Sequence, residues 1–333
     1  MSRALSNNFS SPTGWPASLE VQVADDCGNA VPNATVVASF STSDPGLAMA
    51  SLGNGIYTGT WRPLTVGSQV VVTIRVQLAP LTPALVSLQG QVGANAAAPA
   101  VYSGGVVNAA SFKKGEAVAP GSIVSIFGAS MAQASGGATS VPLPTSLNGA
   151  SVTVGGIAVP LFYSSTGQIN AQIPFEQPVN SRPQLVLSTS NAFAVPEAIT
   201  IADARPGIFT VNSSGSGQGA VTNPQGIIVD SNAPATAGDV VILYCSGLGA
   251  TNPAVASNNL PPTAEPLARV TTAVTATVGG RNAPVQFGGL APGFVGLYQV
   301  NVQIPSGVAP SGAVSLVLTQ GGVSSNSVTI AVR

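Results

Sequence analysis

An all-β chain of tandem sandwich modules is predicted by three observations. The first is alternation. Leu19, Val21 and Val23 alternate with Glu20 and Gln22, and Val70, Val72, Ile74, Val76 and Leu78 alternate with Val71, Thr73, Arg75 and Gln77, which is the period of a half-buried strand. The second is punctuation: Asp44-Pro45-Gly46 and Gly53-Asn54-Gly55 read as turns between short runs, and helical periodicity is nowhere sustained. The third is repetition within the last two thirds of the chain. Gly105-Val106-Val107-Asn108 recurs as Gly219-Ala220-Val221-Thr222-Asn223, and the Pro120–Ile126 string recurs as Ala237–Leu243. Val154-Gly155-Gly156 with Pro160 recurs as Val278-Gly279-Gly280 with Pro284, and Gln168–Pro174 recurs as Gln299–Pro305. Four matches in one order mark two copies of one fold.

In chain order, residues 1–16 are rich in Ser and Asn and read as a flexible lead. A first domain is expected over 17–97, with further strands at Ala34–Phe40 and Tyr57–Trp61. Short strands at this spacing argue for an antiparallel, immunoglobulin-like sandwich. The Ala-rich stretch Gly93–Pro99 reads as a linker into repeat copy 1, residues 98–205, with strand candidates at 123–127, 152–154 and 184–187. Arg205-Pro206-Gly207 reads as a hinge into copy 2, residues 206–333. That copy closes with Val314–Leu318, a Gly321-Gly322 turn and Val328–Val332. The expectation is three immunoglobulin-like β-sandwich domains in tandem, forming an extended rod. Met1–Asn7 lacks the apolar core of a signal peptide. The chain is therefore expected to be a piece of a longer exported protein, with a natural terminus after the last strand.

Composition excludes several functions. The chain has 333 residues, of which 45% are hydrophobic and only 6% charged, against roughly 25% charged in ordinary soluble domains. Net charge is −1 with no basic run, which argues against nucleic acid and anionic membrane surfaces as partners. No stretch reaches the roughly 18 apolar residues of a spanning helix, so membrane insertion is not expected. There is no histidine, which removes Ser-His-Asp and Cys-His catalysis and histidine metal sites. Lys113 and Lys114, the two lysines, sit beside Gly115-Glu116 and read as a solvated turn rather than a crosslinking or phosphate site. Gly215–Gly219 has no helix pattern after it and reads as a β-turn. The expectation is that the chain is not an enzyme and needs no cofactor.

Asp25-Asp26 is the sole acidic doublet. With Asp44 or backbone carbonyls it could hold calcium, which takes hard oxygen ligands in sandwich loops. The competing reading is an Asx turn with Gly28. Asp239 occupies the place of Ser122 in the other copy and reads as a turn residue. Cys27 and Cys245 fall in different expected domains and read as free thiols, their oxidation state left open. Tyr57 and Trp61 share one strand face and read as a core plug, with a sugar-stacking strip as the alternative.

The candidate interaction face is a repeated amide ladder. Gln168, Asn170 and Gln172 face one way, as do Gln299, Asn301 and Gln303, while Ile169, Ala171 and Ile173 face the other. Such a ladder fits either a polar outer face that needs no partner or a surface that meets a neighbouring module. The longest loops, 130–140 and 254–265, are the places to look for a glycan or protein ligand.

The strings Asn108–Phe112, Ala119–Gly128, Gln168–Phe175, Ser246–Gly249 and Gly289–Asn301 resemble an uncharacterised C-terminal domain family typical of Solibacter-like acidobacterial secreted proteins. The resemblance spans residues 104–333 and implies a place at the end of large exported proteins, with no activity attached. The paired copies are also similar to IPT/TIG modules. Asp25–Gly28 and Gly55–Trp61 look like parts of invasin- or filamin-type domains. The expected role is that of an extracellular or cell-surface structural, adhesion or assembly module. Its expected partners are a second copy through terminal strands or a neighbouring extracellular protein, with glycan binding through loops as the alternative.

Overall fold

The structure, a computed structural model, describes residues 5–190 and 192–333 and contains strands and turns but no helix among them. The chain divides into two compact units, Met1–Pro99 with Thr189–Ala194, and Ala100–Ser188 with Val195–Arg333. The first unit carries β1 (Phe9–Pro12), β2 (Ala17–Gln22), β3 (Thr35–Phe40), β4 (Leu47–Ala48), β5 (Ala50–Gly53), β6 (Ile56–Trp61), β7 (Gly67–Gln77) and β8 (Ala84–Gly93). One sheet runs β1-β8-β7-β3-β4 and the facing one β2-β6-β5. The inward residues alternate as the sequence predicts: Leu19, Val36, Ala38, Tyr57, Val70, Val72 and Ile74 are buried in one core. Burying each large side chain contributes about 1.5–3 kcal/mol.

Residues 9–12, read from sequence as part of a flexible lead, are instead a strand. β1 pairs in parallel with Gly90–Gly93 of β8. Phe9 is buried and meets the Trp61 ring edge-on at 5.9 Å, so a single aromatic side chain ties this polar segment to the core.

Copy 1 carries β9 (Ala100–Asn108), β10 (Ile123–Ala129), β11 (Gly136–Gly137), β12 (Ser146–Leu147), β13 (Ala150–Val154), β14 (Ile157–Ala158), β15 (Leu161–Ser164), β16 (Gln168–Gln172), β17 (Gln184–Thr189) and β18 (Glu197–Ala198). Copy 2 begins with β19 (Gly207–Ile208), β20 (Val221–Thr222), β21 (Val240–Ser246), β22 (Thr251–Asn252), β23 (Arg269–Val270) and β24 (Val274–Val278). It continues with β25 (Arg281–Ala283), β26 (Val285–Leu290), β27 (Tyr298–Gln303), β28 (Ser311–Gln320), β29 (Val323–Ser324) and β30 (Val328–Val332).

The two copies share their strand order. β16 lies between β15 and β10, as β27 lies between β26 and β21; β17 pairs with β13, as β28 pairs with β24. Register agrees as well, since Ser125 faces Asn170 and its counterpart Ile242 faces Asn301. The fold is all-β, in tandem immunoglobulin-like sandwiches.

Candidate interaction surfaces

The ladder residues sit on β16 and β27, which are central strands rather than edges. Five of the six are half-buried, and Gln172 is only 1% exposed. In copy 1 the Asn170 carboxamide oxygen accepts bonds from Gln168 Nε2 at 2.7 Å and from the Ser125 hydroxyl at 3.0 Å. In copy 2 Gln299 Nε2 donates to Asn301 Oδ1 at 2.8 Å, and Gln303 Nε2 donates to the Gly238 carbonyl at 3.0 Å. Rungs of this kind satisfy much of their hydrogen-bonding capacity internally.

Gln172 differs from the rest because it serves a joint between the two copies. Its Oε1 accepts the Asn258 backbone N–H at 2.8 Å. The Asn258 side chain then bonds Leu143 twice, accepting from its N–H at 2.6 Å and donating to its carbonyl at 2.8 Å. Asn258 holds φ +69°, a left-handed conformation that Asn tolerates better than most side chains. The Ser257 hydroxyl accepts the Phe175 N–H at 2.8 Å and donates to the Glu176 carboxylate. Burial pushes the Glu176 carboxyl up, but bonds from the Ser257 hydroxyl and from the backbone of Glu176 and Ser257 together outweigh it, and the group ends below its usual value.

Apolar packing completes the joint. Phe175 packs against the copy 2 core. A Cβ on Gly121 would fall 2.1 Å from the Phe175 ring, and one on Gly296 would fall 2.9 Å from Gln172 Nε2. Gly121 and Gly296 also hold φ +77° and +64°, where a side chain is strained, so both positions favour glycine. On the other flank the Ser246 hydroxyl accepts the Ile123 N–H at 2.9 Å, and Asn108 Nδ2 donates to the Arg205 carbonyl at 2.9 Å. Arg205 N–H donates to the Gly247 carbonyl at 2.7 Å. The expected hinge at Arg205-Pro206-Gly207 is thus clasped by bonds from both copies.

The loop 254–265, expected to be open for a ligand, gives Ser257 and Asn258 to this joint. Sequence reasoning did not find the joint. Its only local trace is a difference between the repeats, where Phe175 of copy 1 stands in the place of Ser306 of copy 2.

Asp25 behaves as an Asx turn: Oδ1 accepts from the N–H groups of Cys27 and Asn29, and Oδ2 accepts from Asn29 Nδ2. The Asn29 side-chain bond leads in holding its carboxyl below the usual value. Asp26 is exposed. Asp44, weighed as a third ligand, is buried in another setting, where it accepts from Trp61 Nε1 at 2.9 Å and from Leu64 and Thr65. No three of His, Cys, Asp and Glu gather among the described residues.

Tyr57 and Trp61 are core, 1% and 3% exposed, with Phe40 stacked on Trp61 at 4.6 Å. The Asp239 carboxylate caps its turn by accepting from Thr236, as the Ser122 hydroxyl accepts from Ala119. Lys113 lies 3.8 Å from Glu116, both partly exposed. Cys27 is exposed and Cys245 buried, both as free thiols, and burial raises the Cys245 thiol above its usual range.

No helix among the described residues is long and apolar enough to cross a membrane, which leaves β-barrel insertion unaddressed. No family model matches the chain, and no curated protein matches it. Among solved structures, the chain is similar to a Bacteroides ovatus mixed-linkage glucan utilization locus protein in complex with a mixed-linkage heptasaccharide. The identity is 12%, the match covers 100% of this chain and 67% of that one, and the TM-score is 0.30. It is also similar to an I-band fragment of titin, at 9% identity, 98% and 95% coverage and TM-score 0.20. The surface layer protein SbsC, domains 4–9, matches at 13% identity, 93% and 41% coverage and TM-score 0.24. At these scores the likenesses carry no functional argument, and the fold assignment rests on the strand orders themselves.

Proposed function

We propose that this chain is a non-enzymatic structural module of an exported bacterial protein, used for adhesion or assembly outside the cell. The observation that carries this reading is the joint. Two sandwich copies are held by hydrogen bonds, one of them to the Glu176 carboxylate, by a partly buried aromatic ring packed on the neighbouring core and by two glycines at positive φ, an arrangement suited to keeping modules in a set relation. The absence of histidine and the low charge fit the same reading, as does the resemblance of residues 104–333 to exported acidobacterial domains.

Calorimetry of the whole chain tests it. Two unfolding transitions are expected, one for the first unit and one shared by the joined copies. Three independent transitions would remove the basis for the reading.

A second reading, glycan binding, is favoured by one feature of the first unit. A cleft of about 460 Å³ is lined by Asn8, Ser68, Gln69, Gln89 and Gln91. Neutral amides suit a hydroxyl-rich, uncharged ligand. Binding on a glycan array that is lost in Gln69→Ala and Gln91→Ala would establish it, and an array without signal would dismiss it.

A further inference from the structure

We propose that the free half of the β8 edge pairs antiparallel with the same strand of a second copy of this chain, centred on Val86. The proposal deepens the assembly reading and rests on it.

β8 is bordered by β7 on one side and by β1 on the other, but β1 reaches only Gly90–Gly93. Asn7 and Asn8 extend that cover by one position: Gln89 N–H donates to Asn7 Oδ1, and Asn8 N–H donates to the Gln89 carbonyl. Leu5 then bonds Ser18 in the opposite sheet. Among the described residues, nothing pairs with Ala84–Leu88 on the side away from β7. Because both backbone groups of Gln89 face outward, strand alternation sends the N–H and C=O of Leu85 and Ser87 the same way.

The side chains argue for self-pairing. Val86 lies opposite buried Ile74 and so shares the inner face, yet it is 47% exposed; Leu85 is 68% exposed. Residues 84–91 contain no charge, so the charged side chains that commonly block edge pairing are missing from this stretch. An extended backbone is what an open edge accepts, and a two-fold copy brings no like charges into opposition. With the axis at Val86, Leu85 exchanges both backbone bonds with Ser87 of the second copy, and Ser87 does so with its Leu85. The two Val86 side chains meet as a close, non-hydrogen-bonded pair and cover the exposed inner-face position. Pro83, which has no N–H, falls opposite Gln89, where β1 already closes the edge, and pairing stops there.

The test is sedimentation of the full chain over a concentration series, with variants. The wild type is expected to dimerise. Val86→Lys places like charges on the axis and is expected to weaken the dimer by about tenfold or more, with unfolding unchanged. In a Cys27→Ser background, Val86→Cys is expected to form an interchain disulfide on mild oxidation, because Cα atoms about 4.5 Å apart suit that bond. A monomeric wild type overturns the proposal, including one whose Leu85 and Ser87 amides resist hydrogen exchange, which would place another segment of the same chain on the edge. Self-association that survives Val86→Lys and leaves Val86→Cys uncrosslinked overturns the edge while preserving the assembly reading.

Discussion

The same backbone closes the equivalent ends of the two copies, and their side chains put it to different use. In copy 1 Gly121 N–H donates to the Ile173 carbonyl at 2.9 Å and Ile173 N–H to Ser122 at 2.8 Å; in copy 2 Gly238 and Ile304 make the corresponding bonds at 2.9 and 2.8 Å. Beyond this turn the two ends diverge. Gly121 lies under the Phe175 ring, whereas nothing lies within 4 Å of a Cβ on Gly238. Gln172 is buried against Asn258, whereas Gln303 folds back onto Gly238. Phe175 packs against the neighbouring core, and its counterpart Ser306 is exposed. A repeated scaffold becomes a joint when one ring, one glycine beneath it and one buried amide coincide.

The largest expected asymmetry is at the paired glycines. Gly121→Ala combines a steric clash with positive φ and should destabilise the second unit by about 3 kcal/mol. Gly238→Ala carries only the backbone cost, about 1 kcal/mol. Equal losses in denaturant unfolding would mean that the Phe175 contact is unimportant.

Next come the anchors. Phe175→Ala should cost about 2–4 kcal/mol, as loss of a large packed side chain does, and should split the shared calorimetric transition. Ser306→Ala should stay within about 0.5 kcal/mol, as exposed substitutions do.

Asn258→Gly keeps the left-handed backbone available and removes only the two bonds to Leu143. It should cost about 1–2 kcal/mol, because Leu143 is 8% exposed and its backbone groups are left unpaired. A neutral result would assign the joint to Phe175 alone.

The smallest effect is electrostatic. Glu176 is held below its ordinary value of 4.5 in the folded chain, so its contribution is fully present above that pH and is lost as pH falls through the folded value. Asp239 starts from 3.8 and is lowered chiefly by Thr236, with Arg333 adding to the shift. Acid titration followed by NMR should show one response at the joint and another at the copy 2 turn, each below that carboxyl's ordinary value. Glu176→Gln should abolish the first response and leave the second.

Much of this was legible in advance because it depends on local pattern. Alternation placed Leu19, Val70, Val72 and Ile74 in a core, and the spacing of Tyr57 and Trp61 put both rings on its inner face. The repeat strings located β10 and β21, and β16 and β27, in matching places. The lead was misread because Phe9 is one ring in a polar segment, and its value depends on Trp61, 52 positions away in sequence. The Arg205-Pro206-Gly207 segment showed its local freedom in the sequence but not the bonds that reach Arg205 from Asn108 and Gly247. The amide ladder was placed on the correct strands, but its alternation could not distinguish Gln172, which is buried in the joint, from Gln303, which folds back on its own turn.

By itself, the sequence determined the all-β class and the duplication, because alternation and repeated strings are properties of short windows. The joint was decided only by tertiary structure. Its partners lie far apart in sequence: Phe175 meets Ser257 across 82 positions, Leu143 meets Asn258 across 115 and Ile123 meets Ser246 across 123. Hydrogen bonds and ring packing act over a few ångströms, and only the completed fold brings these residues that close.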